Sequence, residues 1–123
     1  MSDLRVNTIS DLAGTGPVTL TKQSAAKAWI NYNATGTVST RDSLNITSLV
    51  DNGTGDQTVN YTNAFAAADY CSNTTNNGAS DAYFMGLHTD SPTAALARVY
   101  SFRPGVGAGD YAFSSAQMTG DLA

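Results

Sequence analysis

The sequence predicts an all-β fold: a small antiparallel β-sandwich or barrel preceded by an extended N-terminal arm. Three observations predict it. The stretch LNITSLVDNGTGDQTVNYT, Leu44 to Thr62, reads as two extended segments joined by a tight Asn-Gly turn. Every acidic residue is Asp and none is Glu; Asp favours turns and caps, whereas Glu favours exposed helix surfaces. Short extended runs also alternate with clusters of turn residues along most of the chain, the spacing of a small sandwich or barrel.

In chain order, residues 1–23 form a thin arm. The segment LRVNTISDLAGTGPVTLTK has one short alternating run (Leu4, Val6, Thr8), a Gly-Thr-Gly-Pro break and a second brief extended piece. So few apolar residues cannot make a core alone, so the arm is expected to lie on its own domain, on neighbouring copies or on a larger assembly. The β-domain occupies residues 24–123. It opens with QSAAKAWINYN, in which Ala26, Ala28, Ile30 and Tyr32 share one face, and Lys27, Trp29 and Asn31 the other. A turn at Asn33-Ala34-Thr35-Gly36 leads into a second extended run, TVSTRDS.

In the central hairpin, Leu44, Ile46 and Val50 alternate on one face, followed by Val59 and Tyr61 in the same period. Leu44, Ile46, Val59 and Tyr61 are expected in the core. The intervening Asp51 to Asp56 supplies residues that tolerate positive φ. NAFAAADY reads either as a turn or two of helix with Phe65 and Ala68 inward, or as a loop crossing a sheet edge. A polar strand over Asp69 to Thr75 follows, then a turn cluster, Asn76 to Ala82. YFMGLH is a compact apolar strand, and AALARVYSFR is the longest, with Ala95, Ala97, Val99, Ser101 and Arg103 on one side. PGVGAGD is a glycine-rich loop before a final strand and tail.

The chain has 123 residues, enough for one domain, which at this size buries roughly two-thirds of the surface its unfolded chain exposes. Charged residues are 13% of the total, with a net charge of −4. Arg5, Lys22, Lys27, Arg41, Arg98 and Arg103 are scattered, not clustered, which argues against nucleic acid. No apolar run approaches the roughly 20 residues of a membrane span. The single cysteine, Cys71, makes no internal disulfide, and the start lacks the pattern of a signal peptide, so synthesis in a cytoplasm is the default.

Candidate chemistry is thin. The only histidine, His88, stands at a strand end; with one His, one Cys and no Glu, neither a Ser-His-Asp relay nor a His/Cys metal cluster is supplied. No spacing singles out a pair of Asp residues for glycoside hydrolysis. PGVGAGD lacks the Lys-Ser/Thr ending of a phosphate loop and no helical pattern follows it. Asp51 to Asp56 lacks the spacing of an EF-hand, and a turn already accounts for its residues. The N-x-S/T patterns at Asn33, Asn45, Asn52, Asn60 and Asn73 read as hydrogen-bonding residues of β-surfaces. The expectation is a protein without catalytic residues, metal or cofactor.

The passage KAWINYNATGTVSTRDSLNITSLVDNGTGDQTVNYTNAFAAADY, Lys27 to Tyr70, resembles a segment common in structural proteins of tailed bacteriophages, particularly those of marine hosts. The leader LRVNTISDLAGTGPVTLTK resembles the short N-terminal segment of phage fibre proteins, where a V-N-T-I stretch precedes a Gly/Pro break. The resemblance covers about the first half of the chain, and the Asp51 to Thr62 part is its most specific piece. It implies a homotrimer on the virion surface, made in the cytoplasm of a bacterial host and joined to capsid or tail proteins by its arm. The absence of a signal peptide and of disulfides, and the Thr/Asn/Ser/Gly-rich composition, fit that implication.

Two roles follow. One is a short fibre or appendage, or a decoration protein of the capsid. The other is a receptor-binding module whose loops touch a host-surface glycan or protein. A chain this small is too short for a long reaching fibre, which favours the appendage. Leu4, Val6 and Ile9 of the arm, with Trp29 and Tyr32 at the base of the domain, are the expected attachment and oligomer residues. Asn76, Asn77, His88, Asp90, Gly107 and Asp110 mark the candidate recognition loops. Neither nucleic acid binding nor membrane insertion is expected.

Overall fold

A computed structural model describes residues 25–77, 84–87 and 92–123, with 84–87 as backbone only. Leu4, Val6, Ile9, His88 and Asp90, like the arm over 1–23, lie outside the described residues. Nine strands make up the described fold: β1 (Ala28–Asn33), β2 (Ser39–Leu44), β3 (Ile46–Gly53), β4 (Asp56–Tyr61), β5 (Cys71–Asn76), β6 (Phe84–Leu87), β7 (Leu96–Arg103), β8 (Gly107–Ala108) and β9 (Ser114–Thr119). They form two antiparallel sheets packed face to face, a small β-sandwich. The first has the order β2-β1-β9-β5; the second has the order β3-β4-β7-β6, with the two-residue β8 folded back onto β7.

The core comes from strict alternation on the central strands. Ala28, Ile30 and Tyr32 of β1 and Ala116 and Met118 of β9 face Val59 and Tyr61 of β4 and Ala97 and Val99 of β7, all of them buried. This is the inward face expected of QSAAKAWINYN; in AALARVYSFR, whose two faces both carry apolar residues, the side with Ala97, Val99 and Ser101 is the inward one. Small alanines let the sheets approach, and the larger side chains interdigitate across the gap. The rest of the core caps one end. Phe65 is buried in a loop, the second of the two readings of NAFAAADY, that carries the chain from β4 to β5, and it makes a bridge to Leu122. Ala68 of that loop is exposed, and no helix occurs among the described residues. Tyr61, Phe65 and Tyr70 pack edge-on and tilted, with centroids 4.6–5.7 Å apart. The Tyr70 hydroxyl donates to Leu96 O at 2.9 Å. Gly120 closes the cluster: a Cβ there would lie 2.9 Å from Tyr70 Cβ.

The central hairpin forms, with local corrections. Leu44 ends β2 instead of starting the hairpin, and it is 48% exposed, not core. Asn45, at φ 58°, turns the corner from one sheet to the other. Its Oδ1 accepts from Asn63 N–H at 2.7 Å and its Nδ2 donates to Asn63 O at 3.0 Å, pinning the corner to the end of β4. Ile46 and Leu49 pack on the core, while Val50 is 44% exposed. The cause is a bulge: β3 pairs Ile46 with Tyr61 and Ser48 with Asn60, so Thr47 is an extra residue and the parity reverses after it. Asn52 is a second bulged residue. Its side chain donates to Thr58 Oγ1 at 2.8 Å, and the two-residue loop is Thr54-Gly55.

The parity difference is measurable. Ile30→Ala should lower unfolding free energy by about 2–5 kcal/mol, whereas Leu44→Ala should stay within about 0.5 kcal/mol, by urea denaturation followed by circular dichroism.

Candidate functional site

Two regions gather polar side chains: a joint at one end of the sandwich and the outer face of the first sheet. The joint is built on Gly55. Its φ is +69°, and a Cβ there would lie 2.6 Å from Ser101 O and 2.8 Å from Gly109 N, so only glycine fits. Gly55 O accepts from Ser101 N–H at 2.7 Å, and Ser101 O accepts from Gly109 N–H at 3.2 Å. Asp110 completes the joint: its Oδ1 accepts from Gly55 N–H at 2.7 Å and from Gln57 Nε2 at 3.5 Å. Gln57 is buried, and its Oε1 accepts from the Tyr32 hydroxyl at 3.4 Å. A buried amide without partners is costly, so the core tolerates Gln57 because Tyr32 and Asp110 flank it.

This changes the reading of several expected site residues. Tyr32 is fully buried and belongs to the core, not to an attachment surface; it sits on the inward parity of β1 with Ala28 and Ile30. Asp110 is half-buried and committed to the hairpin turn, and Gly107 of β8 pairs with Arg103 of β7. Neither is a free loop tip. Asn76 ends β5 on the inward parity, half-buried. Asn77 is exposed, but its N–H donates to Phe113 O at 2.9 Å and its Oδ1 accepts from Phe113 N–H at 3.0 Å. Arg41, the bulged residue of β2, donates to Tyr32 O at 2.7 Å and lays its guanidinium 4.1 Å from the centre of the Phe113 ring.

Trp29 is where the outward parity of β1 puts it, on the outer face of the first sheet. Strand register sets its neighbours: Trp29 stands beside Gln117 of β9, which stands beside Asn73 of β5. The next outward row is Asn31, Ser115 and Thr75. Together they border a groove of about 270 Å³, and no ionisable side chain lines it. Ser115 and Gln117 went unnoticed in the sequence although their signal is there: they alternate with the buried Ala116 and Met118. A second hollow, about 390 Å³, lies beside the aromatic cluster between Phe65, Tyr70, Asp69 and Asp121.

Three acidic side chains besides Asp110 are engaged in local structure. Asp56 pairs bidentately with Arg98, Asp51 Oδ1 accepts from Gly53 N–H, and Asp42 Oδ1 accepts from Ser43 N–H. The asparagines of the N-x-S/T patterns behave similarly: Asn33, Asn45, Asn52 and Asn60 each hydrogen-bond within the fold. No group of three metal-ligating side chains occurs among the described residues. Burial, above all, pushes the Tyr32, Tyr61 and Tyr70 hydroxyls above the usual tyrosine range.

The class of protein defined by these features is an all-β sandwich with a polar, uncharged outer groove. Comparison with protein-family models, curated proteins and solved structures returned no match for the chain.

Two outcomes follow from the joint and the buried phenols. Gly55→Ala should destabilise the fold by about 2–4 kcal/mol, from left-handed strain and overpacking together, read as a fall in the urea midpoint. The tyrosines ionise near pH 10 in the unfolded chain and higher in the folded one. Stability from their neutral burial is therefore complete below about pH 10 and lost as pH rises toward the folded values. With Tyr83, Tyr100 and Tyr111 replaced by Phe so that only these three phenols report, tyrosinate absorbance near 295 nm should appear together with loss of the β-sheet dichroism, not before it.

Proposed function

We propose that this chain is a non-enzymatic structural protein of a tailed-bacteriophage virion. It is a short fibre or appendage, joined to the particle and to sister copies by its N-terminal segment, with the β-sandwich displayed outward. The observation that carries the reading is the use to which the phage-like passage is put. Lys27 to Tyr70 supplies β1 to β4, the corner at Asn45 and all three rings of the aromatic cap, Tyr61, Phe65 and Tyr70.

The most specific piece of that passage, Asp51 to Thr62, is likewise architectural. Gly55 fits under Ser101, Gln57 is buried, Asp56 pairs with Arg98, and Asn52 and Asn60 brace the hairpin. Residues spent on a scaffold in this way support a structural role over a catalytic one. The polar, sparsely charged outer surface suits a domain exposed on a particle.

The test is mass and location. Light scattering of the full chain should give about three times its 12.8 kDa, the closed symmetric state expected of such an appendage. Deleting residues 1–23 should leave a sandwich with unchanged circular dichroism that no longer labels particles produced from the genome that encodes it. A monomer that still labels capsids would replace the fibre with a decoration protein. An antibody to the sandwich that labels no particle at all would remove the virion reading.

A further inference from the structure

We infer that the outer face of the first sheet is a binding site for a neutral glycan, with Trp29 as its stacking platform. The site is a two-by-three array fixed by strand register. One row runs Trp29, Gln117, Asn73, and the other Asn31, Ser115, Thr75. Leu44 extends the first row on the far side of Trp29 and is 48% exposed. The strip therefore passes from apolar (Leu44, Trp29) to amide and hydroxyl (Gln117, Asn73, Thr75).

That order matches a pyranose ring. One face of the sugar is a patch of C–H groups that lies on an indole, and its rim carries hydroxyls that both donate and accept. Amide side chains answer such a rim better than any charged group, because each offers a carbonyl acceptor and an N–H₂ donor. Ser115, between Asn31 and Thr75, is the smallest side chain of the array and lines the groove. An aromatic wall with a few convergent polar groups is the usual make-up of a small-ligand site.

The electrostatics choose among ligands. No ionisable side chain lines the groove, and the chain carries a net charge of −4, which disfavours sulfated or carboxylated polymers. The nearest acid on the sheet, Asp42, stands across from Asn31 and is occupied by the Ser43 N–H. A flat apolar protein partner would leave the amides of Asn31, Asn73 and Gln117 unpaired, at a desolvation cost that a hydroxylated ligand avoids. Four of its six residues stand on the two central strands, β1 and β9, and Asn73 and Thr75 stand on the edge strand β5, which pairs with β9 along its length, so little order has to be gained on binding.

Glycan binding at Trp29 does not depend on the virion reading, which particle labelling decides separately. Trp29 is the only tryptophan, so its fluorescence reports the site directly. The full chain is titrated with neutral hexasaccharides (β-1,4-glucan, α-1,4-glucan, β-1,3-glucan, β-1,4-mannan and β-1,4-galactan) and with hyaluronan as the acidic control. A saturable change in Trp29 emission with a neutral sugar, at about millimolar affinity or tighter, is the expected result, with no change for hyaluronan. In calorimetry, Trp29→Ala should abolish binding, and Asn73→Ala and Gln117→Ala should each weaken it at least about fivefold, all three with unchanged circular dichroism.

Any of four results overturns the inference. They are no saturable change with any neutral sugar, binding that survives both Trp29→Ala and Asn73→Ala, and preference for hyaluronan. The fourth is emission that shifts with protein concentration or on deletion of residues 1–23 while no sugar binds, which would give the face to a second copy or to the arm.

Discussion

The packing of β1 and β9 against β4 and β7 is the interaction on which the remaining structure depends. These four strands contribute Ala28, Ile30, Tyr32, Ala116, Met118, Val59, Tyr61, Ala97 and Val99 to one core. The strands around them bury much less: β2 and β3 are mostly exposed, and β5 alternates exposed with half-buried positions. A sandwich this small holds together through its central strands, because only they bury a complete face. The edges contribute pairing and side-chain bonds on the surface, which are individually worth little.

Burying that face has a polar consequence. Gln57 shares the inward parity of β4 with Val59 and Tyr61, so it enters the core with them. Its amide cannot remain unpaired there, and it reaches the Tyr32 hydroxyl on one side and Asp110 on the other. Asp110 in turn holds the Gly55 N–H, so one buried amide links the central hairpin to the glycine-rich loop more than fifty residues away in the chain. Loops that read in sequence as free tips are thereby part of the scaffold. Asn77 and Phe113 repeat the device at the β5–β9 end, and Arg41 covers Phe113 from β2.

How much of this was legible follows from where the strands keep their period. β1, β4, β7 and β9 run without interruption through the core, and for β1 and β4 the alternation in QSAAKAWINYN and QTVNY gives the buried face directly, whereas AALARVYSFR alternates between two faces that both carry apolar residues and does not say which is inward. Period fails at a bulge. Thr47 adds one residue to β3, so Leu49 turns in and Val50 turns out, and nothing in the local composition of ITSLV announces it. Leu44 was misassigned for a related reason: Asn45 at positive φ ends β2 one residue before the hairpin begins. Tyr32 shows a different limit. Its inward parity was plain, yet a tyrosine with a polar tip suits an interface equally well. Only the position of Gln57, 25 residues further along, explains why its hydroxyl is inside.

The same reasoning favours a sheet face over the loops for the glycan site we infer. Among the described residues, the loop side chains singled out from the sequence are tied down by structural bonds or, like Asn77, anchored to the next strand. The outward parity of the first sheet, which the core leaves unused, is available. There Trp29, Asn31, Ser115, Gln117, Asn73 and Thr75 stand at spacings dictated by hydrogen-bonded strands, not by flexible turns. A rigid array with its aromatic group already placed spends less of its interaction energy on ordering than a loop does. Its inward partners Ile30, Ala116 and Met118 are fixed by the core, so the packing that makes the sandwich stable also sets the geometry of its outer groove.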